Sequence, residues 1–418
     1  MSIENKINNQ LNKYPKVKKV IKRSYQLLRY TLSDKIKSEG NIIRVTPNDE
    51  YEYFYGYYDK SPWSGNEKYM LCLRVKEAYK DVAPKEKAEI MLIKTEDNSI
   101  KKIAETRTWN VQQGCMLQWL GPDFNEKIIF NDFRNNKYCS VILNVFTGEE
   151  KIISQPVYDV SKDGTIALSL DFSRLHRLRP GYGYYNLQDN HKKNRVPDDT
   201  CIWKIDLLNG SVTPLLKYIE FFQFEQRKEM IGAEHKVNHI MISPNGKRFM
   251  VLHRWYQGSR KYTRLVTVNT DGTGMYNLSD DDMVSHCFWK NDEEIIAFEN
   301  KDKIGAGYFL MKDKTKKFTH LWEHINNDGH PSYSPDKTKV VIDSYPNSKR
   351  IATIKIMTES GNEEVVAKVF APFRYDNDVR CDLHPRWDRS GSKICFDACF
   401  EGKRGLYICK LSMEVING

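Results

Sequence analysis

Short apolar runs alternate with polar turns along most of this chain, and the alternation itself repeats. NHIMISPNGKRFMVL, SHCFWKNDEEIIAF, GHPSYSPDKTKVVI and LHPRWDRSGSKICF share one template. Each has a histidine, an apolar or aromatic residue soon after it, a turn of Pro, Asn, Asp, Gly or Ser, and then a short β run. Turn chemistry between alternating apolar segments predicts that each unit opens with a hairpin. The histidines are His239, His286, His330 and His384, spaced 286−239 = 47, 330−286 = 44 and 384−330 = 54. A period of roughly 40–50 residues with four short strands per unit is the pattern of a propeller blade.

Three more copies lie upstream without histidine, beginning near Tyr57, Cys115 and Val157. The second half of each unit carries its own polar turn (EDNS, TGEE, LNGS, NTDGTG), which supplies the outer strands. The expected fold is therefore all-β: a seven-bladed β-propeller over 41–418, preceded by a basic amphipathic helical arm over 1–40. Two stretches break the repeat. One runs from about Arg174 to Asp199 without a strand period, and unstructured loops of that length are usually functional or disordered. The other, about Tyr218 to Lys236, is rich in Phe and Glu and predicts a short helix.

In the arm, Val17, Val20, Ile21, Leu28 and Leu32, with Tyr25 between, recur at helical spacing, basic residues fill the other positions, and Pro15 suits the first turn. Residues 16–36 could lie on an anionic membrane surface. Packing against the propeller, or a flexible basic tail, accounts for the same pattern.

Charge sharpens this division. The net charge is +10, and residues 1–40 hold ten Lys/Arg against three Asp/Glu, 10−3 = +7. The nearly neutral remainder argues against a nucleic-acid binder. Nine Cys, an odd number without a CxxC pair, and no apolar leader or membrane-spanning stretch point to reduced thiols in a cytoplasmic protein. If the arm docks, that protein would be peripheral on the inner face of the cell membrane.

Three places could carry chemistry. Equivalent blade positions face one axis, so the four histidines would form a ring able to hold a divalent metal, or simply anchor neighbouring blades. The segment LDFSRLHRLRPGYGYY offers Arg174, His176, Arg177 and Arg179 beside Tyr182, Tyr184 and Tyr185. The segment VLHRWYQGSRKYTR places His253, Arg254 and Trp255 at a hairpin end, where side chains would reach the rim. Phosphate-cradling glycine loops, a GxSxG elbow and HExxH are all lacking, and the DDD at 280–282 reads as a solvated loop.

HPSYSPD followed by DSYP, DLHPRWDRSG, and LDFSRLHRLRPGYGY resemble the seven-bladed propeller polysaccharide lyases of the ulvan-lyase type and, more distantly, the oligogalacturonate lyases. Similar propellers occur among bacterial surface-polysaccharide biosynthesis proteins. The resemblance spans about residues 50–415. It implies action on an acidic, uronate-containing polysaccharide or oligosaccharide by β-elimination. Arg174 or Arg179 would clamp the carboxylate, and Tyr182 and His253 would exchange protons. His176, Tyr184, Arg254 and Trp255 would contact substrate. His239, His286, His330 and His384 would hold a divalent metal (Mn, Ca or Zn), with Asp328 and Asp382 as donors or orienters. Two alternatives stay open: a glycosyltransferase or editing enzyme of capsule or O-antigen biosynthesis, and a non-catalytic propeller scaffold binding glycan or protein.

Overall fold

The computed structural model describes residues 15–32 and 36–411. Seven antiparallel sheets follow one another along the chain, six of four strands and one of five, with strands paired in sequence order within each blade. The inner strands are Glu52–Phe54, Gln118–Trp119, Asp159–Val160, Glu234–Ile242, Val284–Trp289, Ser332–Tyr333 and Arg386–Trp387. We number the blades 1 to 7 in that order. The ring is closed by Ile42–Arg44, which pairs with Gly405–Lys410 and so supplies the outer strand of the last blade. Closure by the chain's own beginning removes an exposed edge and ties both ends together. Ser38–Glu39 adds a fifth strand to blade 6.

Alternation packs the blades face to face. Leu168, Leu170 and Ile202 of blade 3 meet Val251, Val266 and Val268 of blade 4 in one fully buried cluster, each side chain contributing about 1.5–3 kcal/mol. A recurring tryptophan locks neighbours. The indole N–H groups of Trp119, Trp289 and Trp387 donate to the carbonyls of Pro62, Met241 and Ser332, each in the preceding blade. All nine cysteines are free and buried.

The channel is not open. After the first inner strand, residues 55–61 run along the axis. The Tyr58 hydroxyl donates to the Cys287 carbonyl, and the Tyr57 carbonyl accepts from Arg386. This plug divides the axis into two mouths. The turns between first and second strands sit at one mouth; the hairpins between second and third strands sit at the other.

The repeat-breaking segments are ordered. Phe172–Leu178 is a helix whose N-cap, Asp171, accepts from the Arg174 amide, a standard way to satisfy an orphan helix N–H. In the second segment Tyr218–Gln223 is helical and Lys228–Met230 forms a single tight turn. The inner strand of blade 4 already begins at Glu234. The arm contains the helix Pro15–Thr31. Its Arg23 donates to the Phe373 carbonyl and pairs with Asp376, and Tyr30 stacks on Phe370 at 4.9 Å. Among the described residues no helix is long and apolar enough to cross a membrane.

Candidate functional site

The four histidines do converge. Ring centroids lie 4.0 Å apart for His286–His330, 4.4 Å for His330–His384 and 5.9 Å for His239–His286. The Tyr57 ring contacts His239 and His384, and its hydroxyl is 2.8 Å from His239 Nδ1. His239 and His384 have φ of +55° and +46°, in the left-handed region that costs a non-glycine residue of order 1–3 kcal/mol. Met116, which stands two residues before the inner strand of blade 2 as His384 does in blade 7, has φ +55° as well. The same kink thus recurs in blades 2, 4 and 7 and carries an imidazole in blades 4 and 7, whereas His286 and His330 stand on ordinary backbone.

Each imidazole is oriented by its Nδ1. His330 Nδ1 lies 2.8 Å from Asp343, His286 Nδ1 2.9 Å from Asp328, and His384 donates to the Gly56 carbonyl at 2.7 Å. A proton held on Nδ1 leaves the Nε2 lone pair facing inward. In His330 and His384, Nε2 is buried and has no hydrogen-bond partner. Ligand atoms of His330, Asp382 and His384 lie within 4.8 Å of one another. Burial alone would raise the Asp382 carboxyl, but Arg380, bonded to both its oxygens, holds it below the usual carboxylate range. Burial pushes His239 and His384 well down, so both are neutral imidazoles.

Above this floor lies a cleft of about 510 Å³, lined by Arg179, Tyr182, Arg254, Tyr256, Lys261 and Arg380 together with His239, His286, Asp328, Tyr345 and Asp378. Two of its guanidinium groups are neutralised: Arg179 pairs with Asp378 at 2.9 Å and Arg380 with Asp382. Arg254 differs. It is only 7 % exposed, its Nε is buried without a partner, and no described carboxylate pairs with it. A buried guanidinium without an anion is costly. Its field shows on its neighbours. Arg254, more than burial, pushes Lys261 down to about 8; burial and then Arg254 push the buried Lys236 amine well below its usual range. The phenol of Tyr182, buried under Arg179 at 5.2 Å, is raised by desolvation and stays protonated.

Several expected site residues lie elsewhere. Arg174 is 0 % exposed, and its guanidinium is spent on the carbonyls of His235, Asn194 and Arg195 and on Asp189. It fastens the insertion to blade 4 and cannot clamp a ligand. His253 is also fully buried, between His235 (2.8 Å) and Arg264 (3.1 Å), and so does not face the cleft. Trp255 stacks on Tyr262 at 5.6 Å inside the blade, with no face left for a sugar. The strand Arg248–Gln257 runs on past the position where a rim was expected. Along it, period-two alternation turns Arg254 and Tyr256 to the cleft and His253 and Trp255 inward. Tyr184 is buried, stacked on Phe172 at 4.4 Å and bonded to Asn131. His176 lines an adjoining cavity of about 460 Å³ with Tyr185 and Trp109; Pro180 borders both spaces.

Sequence reasoning did not single out Lys236, Lys261, Tyr57 or Arg380. For Lys261 a signal existed, since it pairs across the hairpin with Tyr256. Arg380 and Asp382 sit in a stretch without strand period, and only the fold brings them to the axis. The DDD acids are partly engaged: Asp280 and Asp282 both pair with Arg227.

No family model matches the chain, and no curated protein resembles it closely enough in sequence to be matched. Solved structures do resemble it in fold. An oligogalacturonate lyase in complex with manganese superposes with a TM-score of 0.66 at 15% identity, covering 92% of this chain and 97% of that one. An oligogalacturonate lyase from Vibrio parahaemolyticus superposes at 0.62 with 12% identity, covering 91% and 98%. At such identities the likeness establishes the seven-bladed propeller and nothing about chemistry.

Proposed function

We propose that the cleft over the histidine floor binds a uronate of an acidic oligosaccharide or polysaccharide and cleaves it by β-elimination. The observation that carries this is Arg254, a nearly buried guanidinium that lacks an anion. A planar carboxylate is the group such a fork takes best. The two solved structures above are named as oligogalacturonate lyases.

β-Elimination needs the carboxylate charge neutralised, the C5 proton removed and the departing O4 stabilised. Arg254 takes the carboxylate, while Arg179 and Arg380, each already paired with an acid, shape the wall beside it. Lys261, pushed down to about 8, is about one tenth free amine at pH 7, far more than an ordinary lysine, and removes the proton. Tyr182 keeps its proton and donates it toward O4. Such acid–base assistance supplies about 10²–10⁴-fold each. Tyr256 and Tyr345 offer ring faces along the walls.

The floor fits a divalent cation. His330 and His384 offer inward Nε2 atoms without partners, Asp382 a carboxylate, and Asp343 and the Gly56 carbonyl fix the ring orientations. A set of two nitrogens and one oxygen suits manganese or zinc better than calcium. When bound, the ion supplies Lewis-acid neutralisation of the uronate carboxylate and of the charge that develops on it.

The arm favours attachment at an anionic membrane surface. Its docked side holds Arg23 and Tyr30, while Val17, Val20, Ile21, Leu28 and Leu32 remain exposed, Val20 at 65 % and Leu28 at 56 %. Residues 15–32 include six Lys/Arg and no acid. The anchor segment leads from Asp376, the partner of Arg23, to Asp378 and Arg380 of the cleft wall, so a docked helix would bring the cleft toward surface-held glycans. Vesicle sedimentation with Val20→Asp/Leu28→Asp tests this; binding to anionic vesicles should be lost, and undiminished binding would refute it.

Incubation with a panel of uronate polysaccharides and oligosaccharides tests the catalytic reading. Unsaturated products absorb in the ultraviolet, and Arg254→Met should abolish their formation. Glycan binding without product would instead make the propeller a binding scaffold.

A further inference from the structure

The opposite mouth of the channel is built differently from the cleft. It holds a cavity of about 350 Å³, bounded by the plug residues Asp59 and Lys60 and by the first turns of several blades. Lys60 lies 2.7 Å from Asp59 and 3.6 Å from Asp159, so one lysine is set against two carboxylates there. Three other cations face the same space: Lys162 from the turn of blade 3, Lys337 from that of blade 6 and Arg389 from that of blade 7. None of the three forms an ion pair with any described carboxylate. Arg389 donates only to the Trp63 carbonyl, and its Nε is buried without a partner.

Like charges gathered from three separate blades repel one another unless an anion sits among them. The strain registers on the lysines: burial, then Lys162, pushes Lys337 down to about 8, and burial pushes Lys162 down as well. Phe124 and Phe288 also line the space, and the Arg389 guanidinium lies 4.7 Å over the Phe124 ring.

We infer that this far mouth is a second ligand site, separated from the cleft by the axial plug, that binds a small phosphate-bearing anion through Lys162, Lys337 and Arg389. Phosphate offers several acceptor oxygens at once, which matches donors converging from three directions better than a single carboxylate does. The site does not depend on the reaction proposed for the cleft.

Calorimetric titration of the full chain tests it, with inorganic phosphate and with glucose 1-phosphate as separate probes. At least one probe should bind the wild-type protein. Lys162→Met/Lys337→Met should weaken that binding about tenfold or more, a loss expected for two charge-assisted contacts. The melting temperature of this variant in chloride should be unchanged or raised, because neither lysine has a protein partner to lose. Arg254→Met, which alters only the cleft, should bind the probe as the wild type does. Preference for glucose 1-phosphate would assign a phosphate ester, and equal or better binding of inorganic phosphate would assign the free ion. The inference is overturned if neither probe binds, or if binding survives the double substitution undiminished. Either failure leaves the cleft's own reading intact.

Discussion

Replacing Arg174 by methionine separates the two roles that an arginine in this insertion could have. The side chain would stay apolar and roughly isosteric, but its bonds to the carbonyls of His235, Asn194 and Arg195 would go, and Asp189 would lose one of two cationic partners. Removing one member of a buried ion pair costs about 3–5 kcal/mol. Arg177 still contacts Asp189 at 2.7 Å, which favours the lower part of that range; the orphaned carbonyls push it back up. For 418 residues the unfolding entropy is about 0.9 kcal/mol/K. The melting temperature should therefore fall by about 3–6 °C. Scanning calorimetry reads the shift, and product formation per folded molecule at a temperature well below it should stay within a few-fold of wild type. Lost turnover with an unshifted melting temperature would refute the reasoning, because Arg174 would then act on substrate and not on the fold.

Other expectations concern protons and ions. Burial pushes His235 down to about 4 and His253 well below its usual range. The unfolded chain thus binds more protons than the folded one below pH about 6.5, and stability should be full above that and decline as pH falls toward 4; for His235 alone this amounts to about 3 kcal/mol, and denaturant titrations across that range would show it. In the cleft, Arg254 is the main reason Lys261 is low. A pH–rate profile should rise with an apparent pKa near 8, and a weakened but measurable Arg254→Lys should leave that limb near 8 while neutral Tyr182→Phe lowers the plateau about 10²-fold. A limb unaffected by Lys261→Met would exclude Lys261 as the base. Asp343→Asn should weaken manganese binding about 10–100-fold through loss of the orienting carboxylate on His330, measurable by competition with a chelator.

The architecture was legible because a blade is a local object. Turn residues, alternation and a 44–54-residue period announce it without any long-range knowledge, and the histidines fell where equivalent positions of a closed ring must fall. The site was less legible for two physical reasons. Facing is set by strand length and register: once Arg248–Gln257 continues to Gln257, Arg254 is in the cleft and its neighbours His253 and Trp255 are not. A sequence shows the triplet but not where the strand stops. The RLHRLRPGYGY insertion reads alike by composition throughout, whereas Arg174 and Tyr184 build its attachment and, of its cationic and aromatic side chains, Arg179 and Tyr182 line the cleft. Arg380 and Asp382 reach the axis through an aperiodic stretch, for which composition gives no direction. The helix at Phe172, capped by Asp171, was not anticipated in a stretch read only as lacking a strand period.

The central claim is that a uronate carboxylate lies against Arg254 above the His330–His384 floor. A crystal structure of the Lys261→Met variant soaked with manganese and a uronate disaccharide tests it directly. The account predicts anomalous density for manganese bounded by His330, Asp382 and His384, and a sugar carboxylate on the Arg254 guanidinium. A cleft that remains without sugar at saturating ligand, or a disaccharide bound elsewhere on the propeller, would contradict it.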